Sequence, residues 1–200
     1  MPSDPTLLAF DTSAAHCAAA LLCGDDIVEC AVEEMGRGQA ERLMPLMDAV
    51  LARQGLRWDD LSAVAVGIGP GNFTGIRIAV SAARGLALGL GRPAIGVSVL
   101  EAQAYGLARP CRAVADARRG MVYAQVFGDG AAGPELIEAG DVPDDLPIAA
   151  GLPPDRLVTN IARIGVGRLA AGGSIDRPAP LYIRSADAAP ASDPPPVILP

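Results

Sequence analysis

The 200 residues include no lysine and a single histidine, His16, so all 16 basic side chains are arginine. A phosphate loop of the G-x-x-x-x-G-K-[ST] kind needs its lysine, so that NTPase class is excluded, and Schiff-base chemistry with it. A zinc site built on two or three histidines is excluded in the same way. A Ser-His-Asp hydrolase could use only His16. Bases are also outnumbered: 23 acids against 16 arginines give a net charge of −7. That balance argues against tight nucleic-acid binding by this chain alone, because such binding rests on basic side chains neutralising phosphates. The four cysteines (Cys17, Cys23, Cys30, Cys111) form no C-x-x-C pair, which predicts reduced, mostly buried thiols. The start MPSDPTLLAF lacks a basic region, and no apolar run of membrane-spanning length is free of charge or glycine. A cytoplasmic chain without a signal peptide or membrane span is the expectation.

What is present reads as alternating strands and helices. Thr6–Phe10, His16–Cys23 and Ile27–Glu33 read as three strands joined by Asp11-Thr12-Ser13 and Gly24-Asp25-Asp26. A helix follows over about Gly38–Arg53, with Leu43, Met47, Val50 and Leu51 on one stripe and Pro45 set to kink it or lie in its first turn. Then come a strand at Ser62–Ile68, a helix at about Thr74–Leu90, a strand at Ala94–Val97 and a helix near Ser98–Ala108. The second half repeats the opening: strand Ala113–Ala117, turn Arg118-Arg119-Gly120, strand Met121–Phe127. A shift of 105 places Asp11 on Asp116 and sets Cys17, Ala19 and Leu21 on Val122, Ala124 and Val126, which suggests a duplicated α/β architecture. A strand at Pro147–Ala150, a helix near Asp155–Ala171 and a strand at Leu181–Arg184 complete the expectation. The expected division is residues 1–108, residues 109–185, and a proline-rich, disordered tail over 186–200.

Several residues could carry chemistry. Asp11-Thr12-Ser13 could offer N–H and hydroxyl donors to a phosphate, with Asp11 on water or Mg²⁺; the triplet alone reads more readily as an Asx-type turn satisfying its own backbone. Gly69-Pro70-Gly71-Asn72-Phe73-Thr74-Gly75 joins a strand to a helix, with Thr74 as the N-cap, and suits an anion or simply tight packing. Gly75, Ala79, Ala83 and Ala87 form a row of small residues on a helix that is apolar nearly all round, so something besides the sheet must cover it: the neighbouring helix or a second chain. His16 reads as a general base or a structural histidine, and Asp116 with Arg118 as a local ion pair.

Together the runs LLAFDTSAAHCAAALL, VAVGIGPGNFTGIRIAVSAARGLALGLGRPAIGVSVLEA, VADARRGMVYAQVF and PLYIR resemble the TsaB (YeaZ) family. The resemblance covers nearly all of the first half and about a third of the second. It implies an actin/Hsp70-like (ASKHA, RNase H-like) fold: two subdomains with mixed central sheets flanked by helices, the second shortened. It also implies a non-catalytic partner of TsaD, the chain that transfers threonylcarbamoyl to a tRNA adenosine, together with the ATPase TsaE. Contact with tRNA would come only through the complex, and a homodimer would form in isolation. The family's dimerisation surface lies on its first two helices, which here carry Leu43, Met47 and Leu51, and Gly75, Ala79, Ala82, Ala83 and Leu86. Gln39 stands where relatives often have histidine, so a histidine metal site there is excluded, and no cofactor is expected to be required. Weak ATP or ADP binding around Asp11, Thr12, Ser13, Gly69, Gly71 and Asp116 stays open. So do two other functions: a stand-alone nucleotide-dependent enzyme of this fold, and a glycoprotease-like metallopeptidase. Asn72 in place of serine and Ala79 in place of glycine depart from the family pattern.

Overall fold

Five residues, Thr-Leu-Leu-Ala-Phe, and a terminal aspartate form β1 (Thr6–Asp11), which runs antiparallel to β2 (His16–Cys23); β2 pairs in turn with β3 (Asp26–Glu34). The computed structural model describes residues 4–183. Helix α1 (Gln39–Arg53) leads to β4 (Ala63–Gly67), then to α2 (Phe73–Leu90), β5 (Ala94–Val97) and α3 (Val99–Gln103). β4 and β5 join parallel to β1, giving a sheet in the order β3-β2-β1-β4-β5. The second half supplies β6 (Cys111–Asp116), β7 (Met121–Phe127), β8 (Glu135–Glu138) and β9 (Ile148–Ala150), in the order β8-β7-β6-β9, and then α4 (Pro154–Ala171).

The two sheets share one topology: each has an antiparallel three-strand meander, with its next strand parallel to the first. β6 begins and ends 105 residues after β1, and β7 begins 105 after β2. The turns match as well. Asp11 Oδ2 accepts the N–H of Ser13 at 3.0 Å, and Asp116 Oδ1 accepts that of Arg118 at 3.2 Å. The fold is two actin/Hsp70-like subdomains, the second carrying fewer elements.

β1, β2 and β4 are covered on both faces. Leu43, Leu46, Met47, Val50 and Leu51 of α1 and Ala79 and Ala83 of α2 pack on one face, with Leu8, Phe10, Leu21, Val64 and Val66. Burying each of the larger side chains contributes about 1.5–3 kcal/mol. α1 continues through Pro45, which lacks an N–H for the Glu41 carbonyl. The opposite face is closed by α4, through Leu157, Val158, Ile161 and Ala162 on Leu7, Ala9, Ala20 and Ala65. α4 therefore falls in the second half of the sequence yet packs on the first sheet. The second sheet rests on Leu100 of α3 and on Ala104 just after it, against Cys111, Ala113 and Ala149.

Some boundaries differ from expectation. The helix expected over Ser98–Ala108 closes at Gln103, ahead of Gly106 at a positive φ of 78°. β8 was not expected, because four residues give too little alternation to register. Leu181–Ile183 is not a strand; it makes one ladder-like bond, Leu181 N–H to the Ile68 carbonyl at 2.8 Å. Arg184 and the 186–200 tail lie outside the described residues.

Candidate functional site

The Asp11-Thr12-Ser13 turn and the glycine-rich run are one packed unit. Asp11 is fully buried, and its Oδ2 accepts three donors: Ser13 N–H at 3.0 Å, Ser13 Oγ at 2.8 Å and His16 Nε2 at 2.8 Å. A carboxylate only accepts, so Nε2 carries the hydrogen of the imidazole. Thr12 Oγ1 donates to the Gly75 carbonyl at 2.7 Å, and Asn72 N–H donates to the Ser13 carbonyl at 2.6 Å. The glycines make room for this turn: a Cβ on Gly67 would fall on Asp11 Oδ1, one on Gly71 on the Ser13 carbonyl, and one on Gly75 on the Thr12 carbonyl. Asn72, not Thr74, caps α2, its Oδ1 accepting Gly75 N–H at 3.0 Å.

Between the two sheets lies a cleft of about 1250 Å³. Of the six residues expected to meet phosphate, Ser13, Gly71 and Asp116 line it, while Asp11, Thr12 and Gly69 do not. The side-chain hydroxyls of Thr12 and Ser13 and the Ser13 N–H are already given to Gly75 and Asp11. These three donors are therefore spent on the turn's own packing, as in the self-satisfied turn, and a phosphate there would have to displace them. The ion pair expected between Asp116 and Arg118 is corrected, since the carboxylate takes the backbone N–H of Arg118. His16 lines the cleft, held through Nε2 by Asp11. Its neighbour Cys17 has a thiol pushed up to about 11, mainly by burial and further by Glu33 and Asp11, so it is protonated at neutral pH and offers no thiolate nucleophile. Among the described residues no three of His, Cys, Asp and Glu gather as a metal site.

The surface of α1 and α2 holds a second concavity, a groove of about 400 Å³ lined by Ala40, Leu43, Met44, Thr74, Arg77, Ile78, Ser81 and Ala82. Here the expected interface residues need correcting. Leu43, Met47, Leu51, Gly75, Ala79 and Ala83 are buried within the chain's own core, because that stripe is what attaches both helices to the sheet. Of the residues named from sequence, Ala82 and Leu86 are half-buried. The open face carries Ala40, Met44 (38% exposed), Ile78 and, farther along α2, Leu88 (84% exposed). Ala40 with Met44, and Ile78 with Ala82, stand four apart, so helical spacing could have shown this second stripe. α2 is long and apolar enough to cross a membrane by length and composition, yet five of its 18 residues are buried: Gly75, Ile76, Ala79, Val80 and Ala83. Of these, Ala79 and Ala83 pack on the sheet, Gly75 lies against the Thr12 carbonyl and Ile76 lines the cleft, and an apolar face is left over.

Residues 33–164 match the family model of TsaD, tRNA N6-adenosine threonylcarbamoyltransferase. YeaZ from Pseudomonas aeruginosa superposes with a TM-score of 0.69 at 28% identity, over 89% of this chain and 99% of that one. Over 122 residues the chain is 40% identical to the tRNA threonylcarbamoyladenosine biosynthesis protein TsaB of Escherichia coli. The chain belongs to the TsaB (YeaZ) family. The match to E. coli TsaB takes in 58% of this chain and 52% of that protein, so the chain spans about half the length of that relative. An uncharacterized Mycobacterium tuberculosis protein is 35% identical over 199 residues, 92% of this chain and 94% of its own. In this TsaB-family chain, Gln39 donates its amide to the carbonyls of Met35 at 3.3 Å and Ala14 at 3.5 Å, so the side chain ties α1 to the first turn.

Proposed function

We propose that the chain takes part in making threonylcarbamoyladenosine on tRNA as a non-catalytic subunit. It would dock the α1/α2 face on a TsaD-type transferase and provide part of the platform for a TsaE-type ATPase. One observation carries this reading: α2 is apolar nearly all round, but the chain's own core takes only one of its faces. An apolar, helix-based patch of this kind is what a stable subunit interface needs. Without the transferase, the same face would pair with a second copy about a twofold axis. The names of the curated TsaB relatives support the pathway. A cytoplasmic location follows from the same proposal.

The test is co-purification with the cognate transferase, followed by a threonylcarbamoylation assay with and without this chain. Met44→Arg, at an exposed position in the groove, should leave the fold intact while abolishing both the complex and its stimulation of activity. A folded Met44→Arg protein that still binds and stimulates normally would refute the docking reading. The rival reading of a stand-alone nucleotide-dependent enzyme draws on the cleft. It requires ATP turnover by the purified chain alone that is lost in Asp116→Ala. A metallopeptidase reading requires stoichiometric zinc in the purified protein.

A further inference from the structure

Arg77 is the one charged residue in the lining of the α1/α2 groove. Its guanidinium lies over the Phe73 ring, with Cζ 3.8 Å from the centroid, and 5.9 Å from that of Tyr182. The two rings stand 5.1 Å apart, and Nε donates to the Tyr182 hydroxyl at 2.8 Å. Tyr182 is itself fixed, because the segment that carries it is tied down by Arg84 Nε to the Pro178 carbonyl (2.7 Å) and by Leu181 N–H to the Ile68 carbonyl (2.8 Å). Arg42, Arg53, Arg112 and Arg168 each meet a carboxylate of this chain. Arg77 meets none within 4.0 Å among the described residues, and its two terminal nitrogens have no protein acceptor there.

A guanidinium held over an aromatic ring and through Nε by a hydroxyl, with both terminal nitrogens open, is preorganised for a planar two-oxygen acceptor. Preorganisation also lowers the ordering cost of binding. The rest of the groove wall, Ala40, Met44, Ile78 and Ala82, suits apolar side chains of a helix. We propose that Arg77 is the specificity anchor of this groove: the docking partner presents an apolar helix whose Asp or Glu closes on the guanidinium. The inference rests on the docking reading above. A polyanionic occupant such as RNA is disfavoured by the net charge of −7 and by the apolar walls.

The experiment measures the Kd of the full chain for its cognate TsaD-type transferase by calorimetry at low and high salt. The variants are Arg77→Gln, Arg77→Lys, Tyr182→Phe and Met44→Arg, each checked for native circular dichroism and thermal midpoint. Arg77→Gln should weaken binding about 10–100-fold and flatten its salt dependence. Lysine should restore the salt dependence but only part of the affinity, because it lacks the fork. Tyr182→Phe should weaken binding a few-fold with the salt dependence kept. An unchanged Kd in Arg77→Gln while Met44→Arg fails to bind overturns the anchor but leaves the groove. Normal binding by Met44→Arg overturns the docking reading, and the anchor with it. Two other results also overturn the proposal. In one, Arg77→Gln changes only self-association, measured by sedimentation equilibrium, which assigns the carboxylate to a second copy. In the other, it changes only the tRNA affinity of the assembled complex.

Discussion

Gly75→Ala sets two physical effects against each other in one helix. Alanine is favoured over glycine in a helix interior by about 1 kcal/mol, so propensity alone predicts a gain. The structure predicts a loss. A Cβ at this position would stand 1.9 Å from the carbonyl oxygen of Thr12. Carbon and oxygen come to rest at roughly 3.3 Å or more, so the turn and the helix must part by about 1.4 Å. The obstacle is backbone, and it cannot swing away, because Asp11, Ser13 and Asn72 hold both sides of Thr12. Overpacking of this kind costs about 1–3 kcal/mol. The Thr12 Oγ1 bond to the Gly75 carbonyl, worth about 1 kcal/mol, is lost with the separation. Against the propensity gain, the net expectation is a destabilisation of about 1–3 kcal/mol, or roughly 2–4 °C in Tm per kcal/mol for a chain of this size. Gly85→Ala in the same helix is the control: nothing lies within 4 Å of its Cβ, so it should stabilise by about 1 kcal/mol. Urea unfolding followed by circular dichroism and by the fluorescence of the single tryptophan, Trp58, measures both. A Gly75→Ala protein at least as stable as the parent would refute the packed-turn account of the two motifs.

Other consequences follow from burial. His16→Ala should cost about 2–4 kcal/mol in urea unfolding, because the buried Asp11 carboxylate keeps only its Ser13 donors. Ala83→Trp should yield unfolded or aggregated protein by circular dichroism, since that side chain is fully covered by the chain itself; the exposed Met44→Arg should fold normally. Burial pushes the Cys17 and Cys30 thiols up to about 11. At pH 8 a thiol of that kind is thiolate to only about one part in 10³, so alkylation of the native protein, read by mass spectrometry, should be slow at both and rise with pH. The sign for stability follows the same shift. The unfolded thiols ionise near their ordinary value of 9.0 and the folded ones near 11, so these groups remove stability as pH rises through that window. The urea midpoint should fall between them.

The sequence by itself determined the family, the alternation of strands and helices, and the duplication. The 105-residue offset between Asp11 and Asp116 is visible as text and reappears as matching strand starts and matching turns, because an Asx turn at a strand end is set by neighbours in the chain. The sequence also marked α2 as too apolar for a single packing partner. Only the tertiary structure decided which of its faces is used up. The small-residue stripe of Gly75, Ala79 and Ala83 reads as an opening for another helix, but small side chains serve equally well to bring α2 down onto the chain's own core: Ala79 and Ala83 lie with Val64 and Val66 of β4, and Gly75 lies against the Thr12 carbonyl. The residues that line the surface groove are the neighbouring stripe, Ile78 and Ala82, with Met44 across from them. Periodicity gives the stripes but not the direction of the sheet. The same limit applies to Thr12: its hydroxyl looks available to a ligand until Gly75, 63 residues away, comes close enough for its carbonyl to take it, whereas the Ser13 donors go to Asp11 within the turn itself. It applies also to α4, which belongs to the second half by order and to the first sheet by burial, because chain order does not say which apolar face lies within reach of a helix.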